Sequence, residues 1–436
     1  MIKLLITIII FTTSSSVFAE GINVEGSLIQ KHLEALSKIG NLGSGSKDGF
    51  TRTAWSTEES QAFKYIEQEG VKIGLESHYD EVGNLFLRTK NKAKKVIQTG
   101  SHLDTVPYGG NFDGAAGVIA GLEAIHSISK KGLPKDIDLE LVVWRGEEST
   151  SYSVANKGSK FAFGEKIPAN KKLEAAIQQQ GFNLPSGEKT SPKVYAYLEL
   201  HIEQGNQLEL DKREIGIVTS IRGADRYRVD VFGKFDHSGA TPMGTRYRSD
   251  ANLTIAYMQV ELDKIIRNYL EKGYDLVQTV GVVNSDQKIN DTNKLVYNNA
   301  MTKVSGFGYF ILDIRSNNKK QRQQYVENVL DTLKQTSLSL NTKMKITHIS
   351  ESDPAESLDP KLEKNIETAT KRLGYSYTFL PSGAGHDAAI VSKHNIPTAM
   401  IFIPCKGGTS HAKEEFAKTS DIKKGAEVLA NTMLSL

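Results

Sequence analysis

Five short motifs in this chain set imidazole or carboxylate groups beside glycine, in the order His, Asp, Glu-Glu, His, His. In Thr99-Gly-Ser-His102-Leu-Asp104 an imidazole closes an apolar run. Asp104, two residues on, can lie on the same side and accept the other ring N–H. Gly110-Asn-Phe-Asp113-Gly114 places an acid in a glycine-flanked loop, and Trp144-Arg-Gly-Glu147-Glu148 ends a second apolar run with adjacent carboxylates. Leu198-Glu-Leu-His201-Ile-Glu-Gln204-Gly ends a third, and Gly407-Gly-Thr-Ser-His411 repeats the theme near the C terminus. Five N/O donors of this kind suit a pair of zinc-like divalent ions, with one carboxylate bridging. Taken singly, each has an ordinary reading: a hydrogen-bonded strand-end His, a solvated helix start, an Asp-Gly turn. Three of ten histidines recurring in such motifs, with acids between them, favour the metal site.

Composition excludes several other chemistries. The 436 residues include one cysteine, Cys405, so neither a disulfide within the chain nor a thiolate zinc site can form. The charge, +3 from 54 basic and 51 acidic residues, is too balanced for a nucleic-acid surface. With 39% hydrophobic and 24% charged residues the chain is ordinary globular protein. Gly43-Ser44-Gly45-Ser46 lacks the Gly-x-Ser-x-Gly frame of a serine-hydrolase elbow, and Gly109 to Gly117 lacks the ending of a phosphate loop.

The elements that must position these groups fall into two patterns. From Ile22 to about Ser220, helical and strand-like segments alternate. Val96 to Ser101, Leu139 to Trp144 and Val194 to Glu199 read as apolar strands of a mostly parallel sheet, with His102, Glu147 and His201 just past their ends. From Tyr227 to Ser350 the order is βαββαβ, which matches a ferredoxin-like sandwich. After Pro354 the first pattern resumes, with a helix at Lys361 to Leu373, a strand at Thr398 to Ile403 and a last helix. The expected fold class is therefore α/β: a discontinuous catalytic domain, 20–221 and 354–436, interrupted by an α+β insert, 222–353. Residues 1–19, with Lys3, the apolar run Leu4 to Phe11 and Val17-Phe18-Ala19, read as a secretory signal. That run is too short to span a bilayer, so a periplasmic or secreted protein without stable membrane association is expected.

In these motifs and their order, the chain resembles the two-zinc metallopeptidase-fold amidohydrolases of the hydantoinase/carbamoylase family: N-carbamoyl-L-amino-acid hydrolases, allantoate amidohydrolases and β-ureidopropionases. The likeness runs from Asp48-Gly-Phe-Thr-Arg52 to Ser410-His411. It is most specific in Gly100-Ser-His102-Leu-Asp104-Thr-Val and His201-Ile-Glu-Gln204-Gly205. The resemblance implies a zinc-peptidase-like catalytic domain and a lid that also dimerises. It implies two divalent ions per subunit, zinc first, with manganese, cobalt or nickel as alternatives. His102 and His201 would hold one ion, Glu148 and His411 the other, and Asp113 would bridge them. Glu147 would be the general base and Asp104 would orient His102. Two cations can lower the pKa of a bridging water from about 15.7 to around 7, and Glu147 would pass its proton to the leaving nitrogen. Phe235-Asp-His237-Ser-Gly-Ala-Thr-Pro-Met243 resembles the lid motif, whose histidine reaches the site of the partner subunit in a homodimer. Arg315 would pair with the carboxylate of a small substrate, and Gln204 and His386 would complete the pocket.

The chain departs from the family pattern at three places. Gly244-Thr-Arg246-Tyr-Arg248-Ser-Asp250 is longer by two residues, leaving Arg246 and Arg248 both open for the family arginine. Thr302 stands where the family commonly has asparagine, and Ser149-Thr-Ser-Tyr152 replaces Gly-Ser-Arg-Phe. The expected activity is hydrolysis of a carbamoyl or ureido C–N bond. A secreted dipeptidase, aminoacylase or aminopeptidase with the same two-metal site is the alternative.

Overall fold

The computed structural model describes residues 21–43, 48–185, 194–285, 287–289, 295–297 and 302–436. The expected signal segment, most of Gly43 to Ser46 and much of the polar stretch Asn284 to Asn299 lie outside the described residues. By compactness the chain forms two units. The first comprises the chain up to Ile217 with Lys364–Thr378 and Ile401–Leu436, and the second Val218–Glu363 with Phe379–Met400.

In the first unit, helices α1 (Gly26–Leu36) and α2 (Thr57–Lys72) precede strands β1 (Glu76–Tyr79), β2 (Leu85–Arg88) and β3 (Lys95–His102). Helix α3 (Ala115–Lys131), β4 (Ile137–Trp144) and β5 (Ala196–Ile202) follow. These strands lie in the order β1-β2-β4-β3-β5. β4 and β5 are buried along their whole length, as central strands covered on both faces must be. The β3–β4 and β3–β5 pairs are parallel, but β1–β2 and β2–β4 are antiparallel, so this part of the sheet is mixed where the sequence suggests a mostly parallel one. The antiparallel edge follows from a tight turn, in which Asp80 accepts the N–H groups of Val82 and Asn84, that joins β1 directly to β2. Helix α3 seats closely on the sheet: a Cβ on Gly117 would stand 2.0 Å from the Leu200 carbonyl oxygen.

The second unit contains β6 (Gly223–Phe232), α4 (Ala251–Glu271), β7 (Val277–Ser285), β8 (Phe307–Ser316), α5 (Lys319–Ser339) and β9 (Lys343–Glu351). Their antiparallel sheet has the order β9-β6-β8-β7, so the βαββαβ expectation is realised as a ferredoxin-like layer. β8 alternates strictly between buried and half-buried positions. Its Phe310, Leu312 and Ile314 pack with Val229, Val231, Ile255, Met258, Tyr325 and Val329 into one core. Asp250 and Asn318 cap the two helices by accepting Leu253 N–H and Gln321 N–H. The chain then returns through β10 (Thr398–Ile403) to the closing helix α6 (Thr419–Leu434).

Candidate metal centre

The proposed ligands of the first unit come from strand ends and from the loops that follow them. His102 is the last residue of β3 and His201 the penultimate residue of β5, so both belong to the strands rather than following them. Glu147 and Glu148 lie just beyond β4, Asp113 just before α3, and His411 in the loop between β10 and α6. Donor atoms of His102, Asp113 and His201 lie within 4.8 Å of one another, and so do those of Asp113, Glu148 and His411. The two groups share Asp113. Its Oδ1 is 3.4 Å from His102 Nε2 and 3.0 Å from His201 Nε2. His411 Nε2 is 3.4 Å from Asp113 Oδ2 and 3.1 Å from Glu148 Oε1. Gly114, with φ +61°, makes this convergence possible, because a Cβ there would stand 2.6 Å from the His102 ring.

A second layer fixes these groups. His102 Nδ1 faces the backbone oxygen of Asp104 at 3.1 Å and its Oδ1 at 3.3 Å, so the ring proton belongs on Nδ1 and the lone pair of Nε2 faces the cluster. His201 Nδ1 likewise donates to the Ile202 carbonyl at 2.8 Å. Two imidazole Nε2 atoms converge on one carboxylate oxygen, and the donors of both groups are imidazole nitrogens and carboxylate oxygens, the kind divalent ions take. The donor set therefore fits divalent ions. Without them, protons serve. Burial disfavours the charged His102, but its hydrogen bonds to Asp104 and Asp113 and the nearby Glu147 raise its pKa well above the ordinary value. Hydrogen bonds to Asp113 and Glu148 push His411 up to about 11.

Asp104 also accepts the N–H groups of Glu147 at 3.0 Å and Glu148 at 3.1 Å, tying the end of β4 to the end of β3. Glu147 Oε2 lies 4.0 Å from His102 Nε2, beside the cluster but outside both donor groups, and Oε1 accepts Asn156 Nδ2–H at 2.9 Å. Gln204 donates to Asp113 Oδ2 at 2.6 Å.

Residues 99–435 match peptidase family M20/M25/M40. The chain belongs to that family. An uncharacterized hydrolase of Haemophilus influenzae is 32% identical over 93% of this chain and 97% of its own length. The allantoate amidohydrolase of Bacillus subtilis is 30% identical over 94% and 97%. A crystal structure of an amidase of the hydantoinase/carbamoylase family from Burkholderia multivorans superposes with a TM-score of 0.83 at 29% identity, over 95% of this chain and 98% of that one. The M20/M25/M40 chain is thus a hydrolase of a metal-dependent family; among the described residues three groups could hold a metal, Asp225, His348 and Glu351 of the second unit being the third.

The three remaining residues singled out in the sequence are carried by the second unit. His237 is exposed, and its Nδ1 accepts the N–H groups of Gly239 and Ala240, both at 3.1 Å, which leaves the proton on Nε2. Arg315 is held by Asp313 at 2.8 Å and by the Gly383 carbonyl at 2.7 Å. His386 is buried, with Nε2 3.0 Å from the Ser382 hydroxyl. Of the two candidate arginines, Arg248 clamps the His237 loop by donating to the carbonyls of Ser238, Thr241 and Pro242. Arg246 lies over the Tyr247 ring.

Sequence reasoning missed the buried cations of this M20/M25/M40 site. Arg52 donates to Leu103 O and Asn111 Oδ1, Arg145 pairs with Glu59 at 2.8 Å, and Lys157 Nζ caps the Glu148 carbonyl at 2.8 Å. It also missed Glu415, which accepts the N–H of Asp113. Arg52 and Arg145 stood inside quoted motifs without a role of their own, and Lys157 and Glu415 carried no signal beyond ordinary surface charge.

Proposed function

We propose that the chain hydrolyses the carbamoyl or ureido C–N bond of a small carboxylate-bearing substrate of the N-carbamoyl-L-amino-acid or allantoate type. Water and R–NH–CO–NH2 would give R–NH2, carbon dioxide and ammonia. The observation that carries this reading is the pair of donor groups sharing Asp113, with the Glu147 carboxylate beside them but in neither group. Two divalent ions, zinc first, would be held by His102, Asp113 and His201 and by Asp113, Glu148 and His411, supplying an acidified water and a polarised carbonyl. Glu147 would accept the water proton and return it to the leaving nitrogen, its carboxylate oriented by Asn156. Asp104 would keep His102 in the ligating tautomer. Arg315 would take a substrate carboxylate by exchanging it for Asp313, which its Nε and Nη2 now hold.

The deciding experiment is a product screen on N-carbamoyl-L-amino acids, allantoate, N-acyl-amino acids and dipeptides. Ammonia release from the first two alone supports the reading, and turnover of dipeptides alone overturns it. A homodimer is part of the proposal. β7 is an edge strand, and Leu253, Tyr257 and Val260 expose one apolar stripe along α4. Tyr257→Lys with Val260→Glu should then give a monomer by light scattering. Export to the periplasm or medium, proposed from residues 1–19, is checked by cell fractionation.

A further inference from the structure

We propose that Glu415 is a positioning residue that holds the loop-borne half of the metal centre in place, an inference that rests on the two-ion reading above. Glu415 is buried four residues beyond His411, and its two oxygens serve different loops. Oε1 accepts the N–H groups of Phe112 and Asp113, both at 2.9 Å. Oε2 lies 3.1 Å from the Ser410 hydroxyl, and that hydroxyl lies 2.8 Å from Asp113 Oδ2. One side chain therefore links the backbone of the shared carboxylate to the residue preceding His411. The space for it is kept by Gly110, where a Cβ would stand 2.3 Å from Glu415 Oε1.

The two ligand groups depend unequally on this link. His102 and His201 are strand residues, and β3 is fixed by its pairing with β4 and β5. His411 sits in a loop at φ +56°, with its side chain 48% exposed. Without the Glu415 carboxylate, the N–H groups of Phe112 and Asp113 lose their acceptor, and the Ser410 hydroxyl beside His411 keeps Asp113 Oδ2 but loses its second partner, loosening the His411 loop. Binding at Asp113, Glu148 and His411 should weaken selectively.

The test reads metal binding, not turnover. Metal-stripped wild type, Glu415→Leu and Glu415→Gln are titrated with Zn2+ against a chromophoric chelator. Wild type should bind in two steps. Glu415→Leu should keep the tighter step within about threefold and lose about 10- to 100-fold at the weaker one. Glu415→Gln should retain both, because its amide oxygen still accepts the two N–H groups while its NH2 donates to Ser410. Equal weakening of both steps, no weakening, or a Gln variant as poor as Leu would overturn the proposal. If Glu415→Leu does not fold by near-UV circular dichroism, Ser410→Ala decides: a selective, smaller weakening supports the link, and unchanged binding refutes it. Wild type binding no ion overturns the two-ion reading as well. Wild type binding two, with unchanged variants, overturns this inference alone.

Discussion

Replacing Asp104 by asparagine changes one atom at the point where two ligand-bearing strand ends are joined. The carboxylate faces three N–H groups: those of Glu147 and Glu148 and the Nδ1–H of His102. Asparagine keeps one acceptor oxygen and turns the other into a donor, so at least one N–H meets an NH2 with no solvent to relieve it. Hydrogen bonds to a charged acceptor contribute roughly 1.5–3 kcal/mol each, which puts the loss at about 2–4 kcal/mol. The ligating tautomer of His102 is also less favoured, so zinc affinity should drop about 10- to 100-fold. Urea denaturation in the presence of a chelator measures the first loss and chelator competition the second. Burial raises the Asp104 pKa, but His102, Lys157 and the Glu148 amide outweigh it and lower the folded value. Its contribution is therefore fully present above the unfolded carboxylate value of about 3.9 and disappears as pH falls below it. Because Asp104 also helps raise His102, the gap between wild type and Asp104→Asn in chelator should be widest between about pH 5 and 6.5, narrow as pH rises above that, and close in acid. A variant within about 0.5 kcal/mol of wild type, with unchanged zinc affinity, refutes this account of the strand junction.

Glu147→Gln should reduce turnover by about 10^2- to 10^4-fold while metal content stays at the wild-type value, since Glu147 belongs to neither donor group; substantial residual turnover would remove it as the base. Metal binding should release protons, because the raised values of His102 and His411 leave both imidazoles charged at neutral pH in the stripped protein. With His201 raised as well, an indicator dye in weak buffer should register roughly two to three protons per chain. Raised imidazole values stabilise the folded state below the unfolded value of about 6.5 and are lost as pH rises through the folded values. The stripped protein should then melt lower as pH rises above 6.5, whereas zinc-loaded protein should hold or gain. Parallel melting curves with and without chelator across pH 6–9 test this; identical slopes would contradict it.

What the sequence made legible follows from strand ends. His102, Glu147 and His201 lie at or just past the ends of buried strands whose apolar residues mark them in the sequence. The βαββαβ insert was readable because its strands alternate and its helices carry Asp and Asn caps. The β1–β2 hairpin was not, since Glu76–Tyr79 is short, polar and half exposed. Glu415 hides in Lys413-Glu414-Glu415, which reads as a solvated charge run although its last member is buried. Lys157 hides likewise: it follows a polar loop, yet its side chain is wholly covered. Burial of such charges depends on partners distant in the chain, which local pattern does not report.

The buried cations Arg52, Arg145 and Lys157 bear on how this protein is made. Asp104, Glu59, Glu147 and Glu148 lie in the interior with them, and each cation adds favourable charge to the acids around it. Many small zinc domains fold only once metal arrives, because binding supplies their folding free energy. Here the chain supplies its own counter-charges. Removal of any bound ion is therefore expected to leave the fold standing, and near-UV circular dichroism of chelator-treated protein checks it.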